Sequence, residues 1–296
     1  MKVLVPDAEP FLQLKMPGVQ FAPYRRDADL PAEAEGLVLW GLPRGRRQTA
    51  FELPSLRWVL TLTAGIDHVV HDLPEHVTLY NASRLHDAAV AQHALSTILA
   101  AARGLHRARD AQAQRQWTRP HDLWTLQDRS VVIWGHGHIG RRLAGMLEPL
   151  GARITGLRSG RGPGEIRQAL AGADVVVLLL PSTPETQGLV NAEVLAQLKP
   201  GAWLANFGRG TLVVTTDLQE ALTNGQLGGA ILDVTDPEPL PEESPLWSLP
   251  NVIITPHVAS ATQDILQRAA MFTQEFLSDL LRGVEMTNRV ERHKGY

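Results

Sequence analysis

Three clusters of residues have the types and spacing that chemistry needs. The first is Gly135-His136-Gly137-His138-Ile139-Gly140, a G-x-G-x-x-G pattern placed directly after the apolar run Val131-Val132-Ile133-Trp134. In such a pattern the first glycine permits a tight turn and the second lets the backbone approach a pyrophosphate. The third lets the following helix pack close to the strand. The helix then presents free N–H groups and a partial positive charge to the anion. The second cluster, Arg158-Ser159-Gly160-Arg161, ends the next strand-like run. A site for NAD places Asp or Glu there to bind the ribose 2′-hydroxyl. No acid is present, whereas Arg158 can pair with a 2′-phosphate, Ser159 can donate to it and Arg161 can add charge. NADP(H) is therefore the expected cofactor, with NAD(H) second; a solvated Arg-Gly loop is the competing reading. The third cluster is Arg209, Glu238 and His257, each at or just beyond a strand-like run. His136 and His138 lack further ligands for a metal and are assigned to the loop or to the pyrophosphate.

These clusters need a sheet to position them. From residue 130 onward, strand-like runs at 131–134, 153–157, 175–180, 203–207, 230–234 and 252–255 alternate with helical patterns. That alternation predicts a doubly wound parallel sheet, which builds its sites at the carboxyl ends of its strands. Shorter runs at 3–5, 36–40, 58–62 and 77–80 predict a smaller parallel α/β unit. Residues 87–116, free of proline, read as one long helix capped by Asp87, with Val90, Ala94, Leu95, Ile98, Leu99, Ala102 and Leu105 on one face. It would connect the two domains. A last helix, from about 262 to 281, would return to the first. The expected division is a lid domain at 1–86 and 266–296 and a Rossmann domain at 87–265, closing over cofactor and substrate.

Composition sets limits. The chain has 296 residues, 44% hydrophobic and 20% charged, with a net charge of −3 and no cysteine. Thiolate metal sites, cysteine nucleophiles and disulfides are excluded, and a weakly acidic chain gives no reason to expect nucleic acid. No run is long enough for a membrane span, and the opening apolar run is too short for a signal peptide. The expectation is a cytoplasmic protein without a metal.

Together with Thr63-Ala64-Gly65-Ile66-Asp67, Ala91-Gln92-His93-Ala94 and Leu180-Pro181-Ser182-Thr183-Pro184-Glu185-Thr186, the three clusters resemble the D-isomer-specific 2-hydroxyacid dehydrogenase family over nearly the whole chain. The family usually has Glu where Gln92 stands. Leu39-Trp40, the stretch from Glu238 to Trp247 and the terminal Arg289-Val290-Glu291-Arg292 and Gly295-Tyr296 resemble the branch that reduces glyoxylate and hydroxypyruvate, which prefers NADPH. The resemblance implies a Rossmann cofactor domain with a smaller flavodoxin-like substrate domain, and a homodimer. It also implies reduction of a small 2-oxo acid to the D-2-hydroxy acid. In that chemistry Arg209 grips the substrate carboxylate and polarises its carbonyl. His257 donates the proton, because histidine changes charge near neutral pH, and Glu238 orients the ring and favours its protonated form. By the same resemblance the backbone N–H groups of Ala64 and Gly65 bind the carboxylate and Asp233 fixes the nicotinamide carboxamide. Leu180, Pro181, Thr186, Phe207 and Gly208 line the cofactor.

Several residues keep two readings. Asn206 organises the turn before Arg209 or simply packs. Trp40 is core or substrate contact. Arg44, Arg46 and Arg47 form a solvated loop or draw in an anionic substrate. Trp117 and Trp124 reach a partner subunit or pack locally. Two other functions stay open. One is reduction of another 2-oxo acid such as phosphohydroxypyruvate or pyruvate, although the chain ends too soon after its last helix for the regulatory domain of many phosphoglycerate dehydrogenases. The other is a dinucleotide-sensing corepressor, which the lack of long tails or a basic face disfavours.

Overall fold

Short runs of β-branched and apolar residues, each interrupted by glycine, proline or a polar turn, generate two parallel sheets. The computed structural model describes residues 1–25, 29–158 and 160–292. The chain divides into two units, Met1–His86 with Ala261–Tyr296, and Asp87–Ser260.

The first unit contains β1 (Lys2–Pro6), β2 (Gln20–Tyr24), β3 (Gly36–Leu39), α1 (Arg44–Phe51), β4 (Trp58–Thr61) and β5 (Thr78–Asn81). Its strands are all parallel, in the flavodoxin-like order β2-β1-β3-β4-β5. Sequence reasoning misses β2 because only Tyr24 of its five residues is buried and Pro23 interrupts it. Proline is tolerated there because the strand lies at the sheet edge. Arg44, Arg46 and Arg47 belong to α1 rather than to a loop. Pro43 precedes them with φ −58, a value already suited to helix entry.

The second unit opens with α2 (Asp87–Ala102) and α3 (Leu105–Ala113), where one continuous helix was expected. Gly104 adopts a left-handed φ of +59 and breaks it, a conformation that costs glycine little because it has no Cβ. The break turns Leu105 away from the apolar face and leaves it 57% exposed. Next come β6 (Ser130–Trp134), α4 (His138–Leu147), β7 (Arg153–Leu157), α5 (Pro163–Ala171), β8 (Val175–Leu178), α6 (Ala192–Gln197), β9 (Ala202–Asn206), α7 (Thr215–Thr223), β10 (Leu227–Leu232) and β11 (Val252–Ile254). The six strands are parallel in the order β11-β10-β9-β8-β6-β7, so the direction of winding reverses between β6 and β8. Strand residues alternate between two cores. Val132, Val176, Leu204 and Leu232 pack with α6 and α7 residues such as Leu195 and Leu218. Val131, Ile133, Val177 and Ile231 pack with Val90, Ala94 and Ile98 of α2 and Leu143 and Leu147 of α4. The alanine-rich face of α2 is thus spent inside its own unit.

The chain then forms α8 (Ile265–Leu281), which belongs to the first unit. It covers the sheet face formed by Val3, Val5, Val38 and Leu60. Phe276 anchors it, with its ring 5.3 Å from Trp58 and 5.0 Å from Tyr80 at tilted and edge-on angles. Among the described residues no helix is long and apolar enough to cross a membrane. Truncating Phe276, which is 3% exposed, to alanine removes both aromatic contacts and leaves a cavity. We expect Phe276→Ala to destabilise the first unit by about 3–5 kcal/mol, read as a lower denaturant midpoint. An unchanged midpoint would mean that α8 does not brace this sheet.

Candidate active site

The glycine loop is shaped by close approaches on two sides. Gly135 has φ +103, and a Cβ there would lie 2.5 Å from the Leu179 carbonyl. A Cβ at Gly140 would lie 2.7 Å from the Gly135 oxygen and 3.0 Å from Ile133 Cγ2, so α4 packs against β6 as the motif requires. Gly137 differs, because no described residue beyond its own neighbours lies within 4 Å of its would-be Cβ. Among the described residues the space over Gly137 is open and no side chain caps the start of α4. The first-turn N–H groups therefore face an open approach suited to a pyrophosphate.

Arg158 leaves β7 beside this loop and donates from Nε to the His136 carbonyl at 2.9 Å. That bond tethers an exposed guanidinium, able to pair with a phosphate, beside the glycine loop. Arg161 is instead engaged with Glu165 at 2.7 Å. Ser159 lies outside the described residues, as do Gly295 and Tyr296. The His136 ring rests on Gly156 of β7, where a Cβ would come within 2.4 Å of it. Burial first, and then the charges of Arg158 and Arg141, push its pKa below the ordinary histidine value. At neutral pH the ring is thus uncharged, leaving the positive charge to the arginine. His138 is exposed and meets Arg141 at 3.2 Å, and Ile139 is partly buried. Loop, uncapped helix and tethered arginine together fit a dinucleotide phosphate.

Two further loops flank the switch point. After β8, Leu180 and Pro181 enter a turn closed by Thr186, whose hydroxyl donates to the Pro181 carbonyl at 2.7 Å. Gly208 lets the Leu180 carbonyl approach to 2.6 Å of its would-be Cβ, and Phe207 hydrogen-bonds back to Leu178.

The catalytic candidates leave three neighbouring strands, β9, β10 and β11. Asn206, 1% exposed, ties the turn that carries Arg209. Its amide donates to the Arg209 carbonyl at 2.8 Å and its oxygen accepts from Gly208 at 3.1 Å. Of its two readings, the turn-organising one is therefore built into the geometry. Gly210 is required by the next loop, since a Cβ would sit 1.9 Å from the Thr235 carbonyl oxygen. The loop leading to Glu238 is pinned by Thr215 to Asp236 at 2.7 Å and by Thr235 to Pro237 at 2.8 Å. Glu238 Oε1 then meets His257 Nδ1 at 2.6 Å. The two side chains are 42% and 46% exposed, so solvent screens the pair and its importance is orientation rather than stability.

His257 adopts φ +52, a left-handed conformation that costs a non-glycine residue about 1–2 kcal/mol. The turn is held by Asp233, 3% exposed. Its backbone carbonyl accepts from the His257 N–H at 2.8 Å. Its carboxylate accepts from the N–H groups of Val258 and Ala259, each at 3.0 Å. Hydrogen bonds to a charged group contribute about 1.5–3 kcal/mol each, enough to offset the strain. Thr255 donates to the same carboxylate at 2.6 Å, and His93 lies 3.0 Å from that hydroxyl. In the sequence His93 stands within the Ala91–Ala94 stretch and Thr255 ends a strand-like run, and neither carries a role there. No local signal could assign one, because 162 residues separate them.

The remaining substrate candidates belong to the first unit. The Thr63 carbonyl accepts from Ala82 at 3.0 Å and the Ala64 carbonyl from Asn81 at 3.3 Å. In a trans peptide the N–H points opposite to the C=O, so these bonds turn the N–H groups of Ala64 and Gly65 the other way. Nearby, a cavity of about 310 Å³ is lined by Trp40, Arg47, Thr61, Thr63 and His68. Trp40 is partly buried, stacks 6.4 Å from His86 and hydrogen-bonds Tyr24 through its backbone. It is thus both a packing residue and a cavity wall. Arg44 and Arg47 each stand 3.6 Å from Asp72, and Arg47 is only 12% exposed. Trp124 packs locally, 6.4 Å from Trp203 and beneath Arg129, whereas Trp117 is 91% exposed.

Residues 95–259 match the model of the D-isomer specific 2-hydroxyacid dehydrogenase, NAD binding domain. A glyoxylate/hydroxypyruvate reductase A from Klebsiella pneumoniae is 32% identical, with 96% of this chain and 94% of that protein covered. A D-isomer specific 2-hydroxyacid dehydrogenase from Xanthobacter autotrophicus, solved with NADPH and MES, superimposes with a TM-score of 0.86 at 31% identity, covering 100% of this chain and 99% of that one. An NADPH-dependent glyoxylate/hydroxypyruvate reductase from Sinorhizobium meliloti, solved with NADP and sulfate, gives a TM-score of 0.86 at 28% identity over 100% and 99% of the two chains. By sequence and fold, this chain belongs to the D-isomer specific 2-hydroxyacid dehydrogenase family of dinucleotide-dependent oxidoreductases.

Proposed function

We propose that this protein reduces a small 2-oxo acid, glyoxylate or hydroxypyruvate, to the D-2-hydroxy acid with NADPH. The observation that carries the reading is the 2.6 Å contact between Glu238 and His257 Nδ1. A carboxylate at Nδ1 keeps a proton on that nitrogen and leaves Nε2 as the atom that gives up a proton to the substrate oxygen. The bound nicotinamide would supply the hydride. Arg209 takes the substrate carboxylate and draws electron density from the carbonyl, with Ala64 and Gly65 offering backbone donors. Asp233 keeps one acceptor position beyond the three donors it already receives from Thr255, Val258 and Ala259, a fit for a carboxamide N–H. The substrates and the cofactor preference are supported by the reductases named above and by the arginine tethered at the loop.

The test is the initial rate of NADPH oxidation with glyoxylate and with hydroxypyruvate, with NADH run alongside. Turnover favouring NADPH is expected. Activity only with other 2-oxo acids would replace the substrates and keep the reaction. His257→Ala should lower kcat by about a hundred- to ten-thousand-fold while dinucleotide still binds. Retained turnover would remove His257 from the donor role.

Arg158→Asp should shift the cofactor ratio. Loss of a charge-assisted bond of about 1.5–3 kcal/mol predicts that the NADPH/NADH ratio of kcat/KM falls about ten- to a hundredfold. An unchanged ratio would place 2′-phosphate recognition elsewhere.

The assembly proposed is a homodimer. Its support is Trp117, 91% exposed, on the segment following α3, where Leu105 is 57% exposed. Tryptophan is enriched where a second chain covers it. Light scattering after size exclusion should give twice the chain mass, and a monomer at micromolar concentration would sink the proposal.

A further inference from the structure

Behind the Glu238–His257 pair, a chain of polar groups runs from α2 to the turn that carries His257. His93 Nε2 lies 3.0 Å from Thr255 Oγ1 and 3.6 Å from Asp233 Oδ1. Thr255 Oγ1 donates to Asp233 Oδ1 at 2.6 Å. The Asp233 carboxylate accepts from Val258 and Ala259, on the far side of His257. The ring plane of His93 is set by edge-on packing against Phe207, at 6.0 Å and 84°.

Counting protons gives this chain a direction. A hydroxyl has one hydrogen, and that of Thr255 is committed to Asp233. Toward His93 the same oxygen can only accept, so Nε2 of His93 must carry a hydrogen. The other tautomer would set two lone pairs against each other at 3.0 Å. Every donor in the chain therefore points toward Asp233: the His93 N–H to Thr255, the Thr255 O–H to Asp233, and two amides to Asp233 from the turn.

We propose that His93 is a positioning residue for the proton donor. Its N–H holds the Thr255 hydroxyl in the orientation that donates to Asp233. Asp233 in turn holds the 255–259 turn with His257 left-handed and in contact with Glu238. His93 itself acts on the reaction only through these residues, and the inference rests on the reading of His257 as donor.

The experiment compares purified full-length variants by steady-state kinetics, dinucleotide affinity and melting temperature. His93→Phe keeps a ring against Phe207 but removes the N–H. It should lower kcat about tenfold or more, with substrate KM changed by less than about threefold. His93→Gln, whose amide can donate to Thr255, should recover most of that loss, as a merely space-filling role would not predict. Thr255→Ser should retain turnover and Thr255→Val should lose it. A His93→Phe variant with unimpaired kcat, or a glutamine variant no better than phenylalanine, would overturn the proposal. If His93→Phe fails to fold, the Gln variant and the Thr255 pair decide, and equal kcat for Thr255→Ser and Thr255→Val overturns it. His257→Ala run in parallel separates the two readings. If it retains turnover, the donor assignment falls and takes this inference with it. If it loses turnover while His93→Phe does not, only the inference falls.

Discussion

Six parallel strands of the second unit end on one hydrogen-bonded row. Leu157, Trp134, Leu178, Asn206, Leu232 and Ile254 are successive register partners across the sheet. Every functional loop begins immediately after that row, at Arg158, Gly135, Leu179, Phe207, Asp233 and Thr255. Parallel pairing fixes which residues lie level, and one residue of slippage would move each side chain to the opposite face. The register therefore brings an arginine, a carboxylate and a histidine from three strand ends to one edge, with the glycine loop at the switch point of the same edge.

Given that row, the loops are held by close backbone approach more than by side-chain bulk. Gly135, Gly208 and Gly210 each face a carbonyl that a Cβ would strike. The glycine loop is thus fitted to the turn after β8, the Arg209 turn to Leu180, and the Glu238 loop to Gly210. Of the three glycines of this loop, Gly137 alone has no described atom within 4 Å of a would-be Cβ, which separates it from the two that the packing itself requires. Polar side chains complete the hold. Asn206 closes its turn, and Asp233 stabilises a strained histidine through its two following amides.

Charge is used sparingly. The Glu238–His257 pair is half exposed and oriented rather than strongly coupled. Arg158 is held by a bond to a loop carbonyl, and burial and that arginine's charge push the pKa of the adjacent His136 down. In the first unit the peptides of Ala64 and Gly65 are fixed through Ala82 and Asn81, beside a cavity walled by Trp40. One face of its sheet is covered by α8 through Phe276.

Much of this was legible in the sequence because it is local. A glycine pattern between a strand and a helix, an arginine where an acid would stand, and single polar residues at strand ends are all short-range signals. The six strands of the second sheet were readable from their apolar runs. What escaped was non-local or depended on one backbone angle. The edge strand β2 buries one residue and so has no alternating pattern. The break at Gly104 follows from its left-handed φ, which an alanine-rich helical pattern conceals. What covers the apolar face of α2 was also hidden, since periodicity identifies a buried face without naming its neighbours. The chain from His93 through Thr255 to Asp233 joins α2 to the ends of two strands far away in sequence. Residue types alone determined which chemistry was available, and tertiary packing decided which polar groups aim it, because hydrogen bonds between distant segments have no imprint on sequence spacing.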